Sequence, residues 1–195
     1  MITAAENGFR ILARTQTLTQ DSRGYTVWKI DETESIWVPS QTGVIVCDMW
    51  DRHWSRGATE RVEAMAKPMN LLLNVLRNCG FRIIHAPSET MEFYINTPSR
   101  KRALEAPPTK MSEPAEHPDP AMPIDGSDGG SDTGDIPWFK AWTRQHPDIC
   151  IDMEKDFISD DGQEIFNVFS QYGIRDVLIL GVHTNACILG RSFGI

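Results

Sequence analysis

The 195-residue chain has little that would suit it to a polyanion or a bilayer. It carries no clustered stripe of Lys and Arg, which nucleic acids and anionic membrane surfaces both require of a partner. No apolar run approaches the roughly 20 residues of a membrane span, and the first twenty residues lack the continuous apolar core of a secretory signal. Cysteine is sparse: Cys47, Cys79, Cys150 and Cys187 show no paired short spacing of the zinc or redox kind, and three of them end or flank apolar runs. Free thiols in a reducing compartment fit best. These absences describe a soluble, cytoplasmic protein with no nucleic-acid or membrane partner, a mature form whose leader has been removed being the alternative.

Cations are also missing from one segment in particular. Met111 to Asp135 holds seven carboxylates (Glu113, Glu116, Asp119, Asp125, Asp128, Asp132 and Asp135) and no Lys or Arg. Nearly all of the formal charge of -8 is therefore one loop. The surrounding stretch, 97–137, is rich in Pro, Asp, Gly and Ser and far exceeds the usual connection length. It reads as a lid or a disordered insertion. Its "DGSDGGSDTGD" run matches neither the spacing nor the terminal Glu of an EF-hand loop, so a solvated loop is the better reading than a calcium site.

What is present is α/β patterning. Hydrophobic residues at 41% and charged residues at 24% suit one domain with a sizeable core. Within residues 1–40, "FRILART" and "YTVWKI" flank "QDSRG" and predict a hairpin or an edge extension. From residue 41 the rhythm changes. "GVIVCD" (43–48) is an unbroken apolar run ending in an acid, the pattern of a strand buried on both faces. Thr59 can cap a helix with Val62, Met65, Met69, Leu72, Leu73 and Leu76 at spacings of three and four; Pro68 should bend it and Gly80 close it. "FRIIHA" (81–86) reads as a second strand and "ICIDM" (149–153) as a weaker third. "QEIFNVFSQY" places Ile165, Phe166, Phe169 and Tyr172 on one helical face ending at Gly173, and "DVLILG" (176–181) is the fourth strand. Strand and helix in alternation imply a three-layer α/β/α domain with a mostly parallel sheet.

Ligands of such sheets bind at the carboxyl ends of the strands. Three reactive groups fall there: Asp48 after the first strand, Lys155 just beyond the third, and Cys187 after the fourth. A thiol of ordinary pKa, about 8.5, becomes a strong nucleophile where a helix N-terminus and a cation favour the thiolate. Asp48 could take its proton and return it to a leaving amine, with Lys155 holding the carboxylate and stabilising the sulfur. The turn before Cys187 points backbone N–H groups at the same place, as a tetrahedral oxyanion requires. Each residue has a plainer reading: Cys187 as a buried small hydrophobe, Asp48 as a helix cap, Lys155 as surface charge.

"VIVCDMW", "DMEKDFIS" and "LILGVHTNACILG", in this order and at these separations, resemble the three motifs of the isochorismatase-like cysteine hydrolases, which include nicotinamidase and N-carbamoylsarcosine amidase. The resemblance covers 43–195 apart from the acidic insertion. It implies the isochorismatase-like fold and a triad of Asp48, Lys155 and Cys187 that attacks a carbonyl, forms a thioester and releases an acid to water. It implies a cis peptide at Val182–His183, oxyanion donation from the backbone N–H groups of His183 and Cys187, close backbone approach at Gly181, and no cofactor. A small-molecule amide is the implied substrate, because isochorismatase proper, which cleaves a vinyl ether, lacks the nucleophilic cysteine. Relatives are often dimers or tetramers, so self-association is implied by analogy.

Departures from the pattern matter as well. The metal set of nicotinamidases after strand two is reduced here to His85; Asp51 and His53 form an Asp-x-His in the loop after strand one, and His85 reads equally as a hydrogen-bonded core residue. Where relatives often carry Gln, this chain has Trp50. With His53, Trp54 and Phe157 it could wall an aromatic or apolar substrate pocket, or these rings could simply be core. Relatives continue past the nucleophile helix, whereas "GRSFGI" stops within it, so the resemblance implies a truncated gene and an open edge at strand four or its neighbour. A catalytically silent fold used in subunit assembly or protein binding is the alternative function.

Overall fold

The computed structural model describes residues 4–5, 8–111, 131–136, 139–184 and 186–194. The chain opens with β1 (Ala4–Ala5), β2 (Gly8–Gln20) and β3 (Thr26–Trp37), an antiparallel sheet dominated by one long hairpin. Asp21 fixes its turn by accepting from the backbone N–H groups of Arg23 and Tyr25 at 2.8 and 3.0 Å, an Asx arrangement that mimics a backbone turn. Among the described residues the base of the hairpin joins the body, where Phe9 meets Phe81 edge-on at 5.4 Å and Ile11 packs alongside.

After a 3-10 turn at Pro39–Gln41 come β4 (Thr42–Cys47), α1 (Arg56–Asn78), β5 (Arg82–Ala86), α2 (Met91–Tyr94), α3 (Pro98–Leu104), β6 (Phe157–Ile158), α4 (Gly162–Gln171), β7 (Asp176–Gly181) and α5 (Cys187–Gly190). The second sheet has the order β6-β5-β4-β7, and every pair in it is parallel. Side chains alternate across β4 as the strand period requires. Val44 and Val46 pack with Val62, Ala66, Met69, Leu73 and Leu76 of α1. Ile45 and Cys47 pack on the other face with Ala103 of α3, Ile165 and Val168 of α4, and Ile188 of α5. Helices thus cover both faces, and the protein is α/β.

The strand expected at 149–153 does not form. Asp156 turns back instead, its Oδ2 accepting from the N–H of Asp152 at 2.9 Å, and the sheet is joined later, by Phe157 and Ile158. Helix α1 begins at Arg56 with Ser55 at the N-cap, so Thr59 lies inside it, and the helix runs through Pro68. The supposed structureless insertion at 97–137 begins as helix: Thr97 Oγ1 accepts from the N–H of Arg100 and caps α3. Its acidic heart falls largely outside the described residues, but 131–136 docks on the start of α1. There Asp135 accepts from Arg56 N–H at 2.9 Å and Thr133 from Gly57 N–H at 3.1 Å, supplying the capping acceptors that Ser55 does not. β7 stands at the sheet edge, and Val177 is 41% exposed.

Candidate active site

Asp48 and Cys187 meet. β4 delivers Asp48 from the sheet interior, and β7, its parallel neighbour, delivers Cys187 after a short turn. Asp48 is wholly buried and adopts a left-handed backbone, φ 49°. Its Oδ1 accepts from the N–H of Ser88 at 2.9 Å and its Oδ2 from Nε of Arg191 at 2.9 Å. Burial, followed by the charge of Asp48, pushes the Cys187 thiol up to about 11, against the pull of Arg191 and of the His183 N–H facing the sulfur. The expectation of a resting thiolate is therefore corrected: burial and the Asp48 charge favour the protonated thiol at neutral pH.

Lys155 is not in this cluster. Its side chain is 63% exposed and its ammonium lies 3.7 Å from Asp152. The missing third strand explains this, because the turn at 152–156 points Asp156 inward and leaves Lys155 outside. The cation of the site is Arg191, which sequence reasoning passed over as part of a chain end. One signal could have found it: Arg191 follows Cys187 by four residues, the spacing that stacks side chains on one helical side, and its N–H donates to the Cys187 carbonyl at 3.1 Å. Its Nη1 also lies 3.7 Å from Glu89, and its guanidinium stands 5.8 Å from the Trp50 ring centre.

Around the sulfur is an aromatic enclosure. Trp50, Trp54 and Trp142 form a buried cluster against which Cys187 packs. Trp142 stacks on Trp50 at 4.4 Å and on His53 at 5.1 Å. It is held over them because 142–146 runs beside 49–51: Asp51 accepts from the N–H and the hydroxyl of Thr143 at 2.9 and 2.6 Å, and His146 N–H donates to Met49 O at 2.7 Å. Sequence reasoning missed Trp142, since nothing in "FKAWTRQ" ties it to residue 50. Trp50 donates to Ser88 O at 3.1 Å. Burial, followed by the nearby His183, pushes His53 down to about 4, so its ring is neutral at physiological pH. Phe157 is not here: it is 2% exposed in the core, edge-on to Tyr172.

The Val182–His183 peptide is cis. Gly181 has φ 139°, and a Cβ there would collide with the Cys47 carbonyl, so the strand end can close on β4 only with glycine. His183 Nε2 accepts from Nε of Arg61 at 3.4 Å, and Arg61 in turn pairs with Asp132 at 2.6 Å, bringing the described end of the acidic loop to the rim. Asn185 lies outside the described residues.

Asp51, His53 and His85 do not gather as a metal site. His85 is fully buried with Nδ1 2.9 Å from Gln145 Oε1 and Nε2 3.0 Å from Asp156 Oδ2, the core reading, while Asp51 is committed to Thr143. Among the described residues no three His, Cys, Asp or Glu side chains converge as metal ligands. A cavity of 390 Å³ lies between α4, β7 and the Ser192–Gly194 turn, but its lining carries no titratable group. No protein-family model matches the chain, and no curated protein sequence matches it.

Proposed function

We propose that this chain is an isochorismatase-like cysteine hydrolase that cleaves the C–N bond of a small amide, with Cys187 as nucleophile, Asp48 as general base and then acid, and Arg191 in the place that the motif comparison gave to Lys155. The observation that carries it is the buried carboxylate of Asp48, oriented by Ser88 and Arg191, at the strand end beside the one that delivers Cys187. A buried acid in a left-handed backbone is an uncommon conformation for a residue other than glycine, and such positions cluster where function demands them.

Attack begins with the sulfur still protonated. As the S–C bond forms, the thiol proton passes to Asp48, so no free thiolate has to be sustained in this desolvated place. The carbonyl oxygen takes up the negative charge, which the backbone N–H groups of His183 and Cys187 stabilise. Asp48 next gives its proton to the departing nitrogen, the C–N bond breaks and an amine or ammonia leaves. Water, deprotonated by Asp48, then attacks the thioester; the C–S bond breaks, the acid departs and the thiol is restored. Arg191 keeps Asp48 oriented and offsets its charge throughout. Trp50, Trp54 and Trp142 exclude water and offer flat apolar surface to a substrate beside the sulfur.

The test is intact-mass spectrometry after incubation with a panel of small amides, alongside an assay of released ammonia. An acyl adduct on Cys187, absent in Cys187→Ser, supports the reading. Arg191→Ala should lower turnover at least about a hundredfold, the scale of losing one electrostatic or orienting group, while Lys155→Ala leaves it within about twofold. No adduct and no ammonia across a broad panel would favour the silent fold.

A further inference from the structure

We propose that the β2–β3 arm is a self-association surface that pairs with the same arm of a second copy of this chain. The arm is about 40 Å long at strand rise, and beyond its base none of the described residues of the body covers it. An isolated two-stranded ribbon is marginal in water. This one carries a row of large apolar side chains on a single face, Leu12, Leu18, Trp28, Ile30 and Ile36, each 54–64% exposed.

The register sets that face. Leu18 opposes Trp28, Gln16 opposes Ile30, Arg14 opposes Glu32, Leu12 opposes Glu34 and Arg10 opposes Ile36, and directly opposed residues point the same way. The other face is mainly polar along the arm, with Thr15, Thr17, Thr19, Lys29, Asp31, Thr33 and Ser35 beside Val27, and its apolar Phe9, Ile11 and Trp37 lie at the base next to the body. Apolar side chains are thus concentrated on the face turned away from the protein's own core.

Charge identifies the occupant. On the apolar face both arginines, Arg10 and Arg14, are on β2, and both glutamates, Glu32 and Glu34, are on β3; the pairs Arg10–Glu34 and Arg14–Glu32 span them at 3.1 and 3.0 Å. A twofold axis along the arm lays β2 of one copy on β3 of the other in the same row order. Arg14 then faces Glu32 of the partner copy, Leu18 faces Trp28, and Arg10 stands one row from the partner copy's Glu34. The surface is its own complement, which is what an isologous dimer interface must be, and like-signed strands meet only if the copies are turned the wrong way round.

The full chain is studied by sedimentation velocity at concentrations up to ~100 µM, since interfaces of standard size can be as weak as micromolar. The wild type should sediment as a dimer. Trp28→Glu should raise its dissociation constant at least about tenfold, as loss of a buried aromatic anchor does, whereas Thr17→Glu on the opposite face leaves the dimer intact. Arg14→Glu places a carboxylate on both strands of the central row and Glu32→Arg a guanidinium on both. Each alone should self-associate less, and an equimolar mixture should recover a dimer containing one of each, read by native mass spectrometry. Recovery also shows that neither substitution has unfolded the arm. A monomeric wild type, a dimer indifferent to Trp28→Glu, or single variants that fail to recover on mixing would overturn the proposal, the first leaving a different protein as the occupant. None of these outcomes bears on Cys187 chemistry.

Discussion

Cys187, the proposed nucleophile, rests as a thiol. Free cysteines react as thiolates, and their rates follow the thiolate fraction. With its thiol pushed up to about 11 by burial and by Asp48, alkylation of Cys187 by iodoacetamide should be slow at pH 7 and rise about tenfold per pH unit up to pH 10. Asp48→Asn removes the carboxylate charge that raises this thiol, so alkylation at pH 8 should accelerate about tenfold or more while amide turnover collapses. A merely structural cysteine would not show the two moving in opposite directions. Peptide-level mass spectrometry is needed to read Cys187 apart from Cys79 and Cys150, which are exposed free thiols. Alkylation slowed by Asp48→Asn would contradict the assigned proton path.

At the scale of elements, the site depends on β7 ending tight against β4. Gly181 is the point of closest approach, since its Cβ would occupy the space of the Cys47 carbonyl. Gly181→Ala should cost at least about 2 kcal/mol by urea unfolding, the sum of a positive φ and a backbone collision, and should remove activity by displacing the turn that carries His183 and Cys187. An unchanged midpoint would show that the strand end yields. The same scale explains two misread segments. "ICIDM" has strand-like composition, yet the Asp156 carboxylate claims the backbone N–H of Asp152 and folds the segment into a turn. "TPSRKRAL" looks like the start of a loop, yet Pro98 follows directly on the capping Thr97, the position where proline starts a helix well.

For the whole molecule, the buried carboxylate of Asp156 is the stitch. Arg77 at the end of α1 donates to its Oδ1 and Oδ2 at 2.9 and 2.6 Å, His85 of β5 lies 3.0 Å from Oδ2, and Arg102 of α3 donates to its carbonyl. Burial alone would raise this acid, but the hydrogen bonds from His85 and Arg77 outweigh it and hold it down at about 2. An acid whose folded pKa is depressed stabilises the fold above its unfolded value, near 3.8, and loses that contribution as pH falls through the folded one. Between pH ~4 and ~2 the stability difference between wild type and Asp156→Asn should therefore shrink by ~2 kcal/mol. Above pH 5 the variant should be ~3 kcal/mol less stable, because it leaves Arg77 buried without its counter-charge. Urea titrations at pH 6, 4 and 2 would check both, and a gap constant with pH would refute the assignment.

Much of this was legible before any coordinates. Apolar runs fixed β4, β5 and β7, the three-and-four spacing fixed the apolar faces of α1 and α4, and Asp48 and Cys187 stood out as reactive groups at strand ends; all of these are local signals carried by neighbours along the chain. Arg191 beside Asp48 with Lys155 out in solvent, Trp142 covering Trp50, Phe157 withdrawn into the core, and the raised thiol came from the folded arrangement alone. Each depends on groups distant in sequence sharing one desolvated space, where a carboxylate only angstroms away reverses the behaviour expected of an isolated thiol.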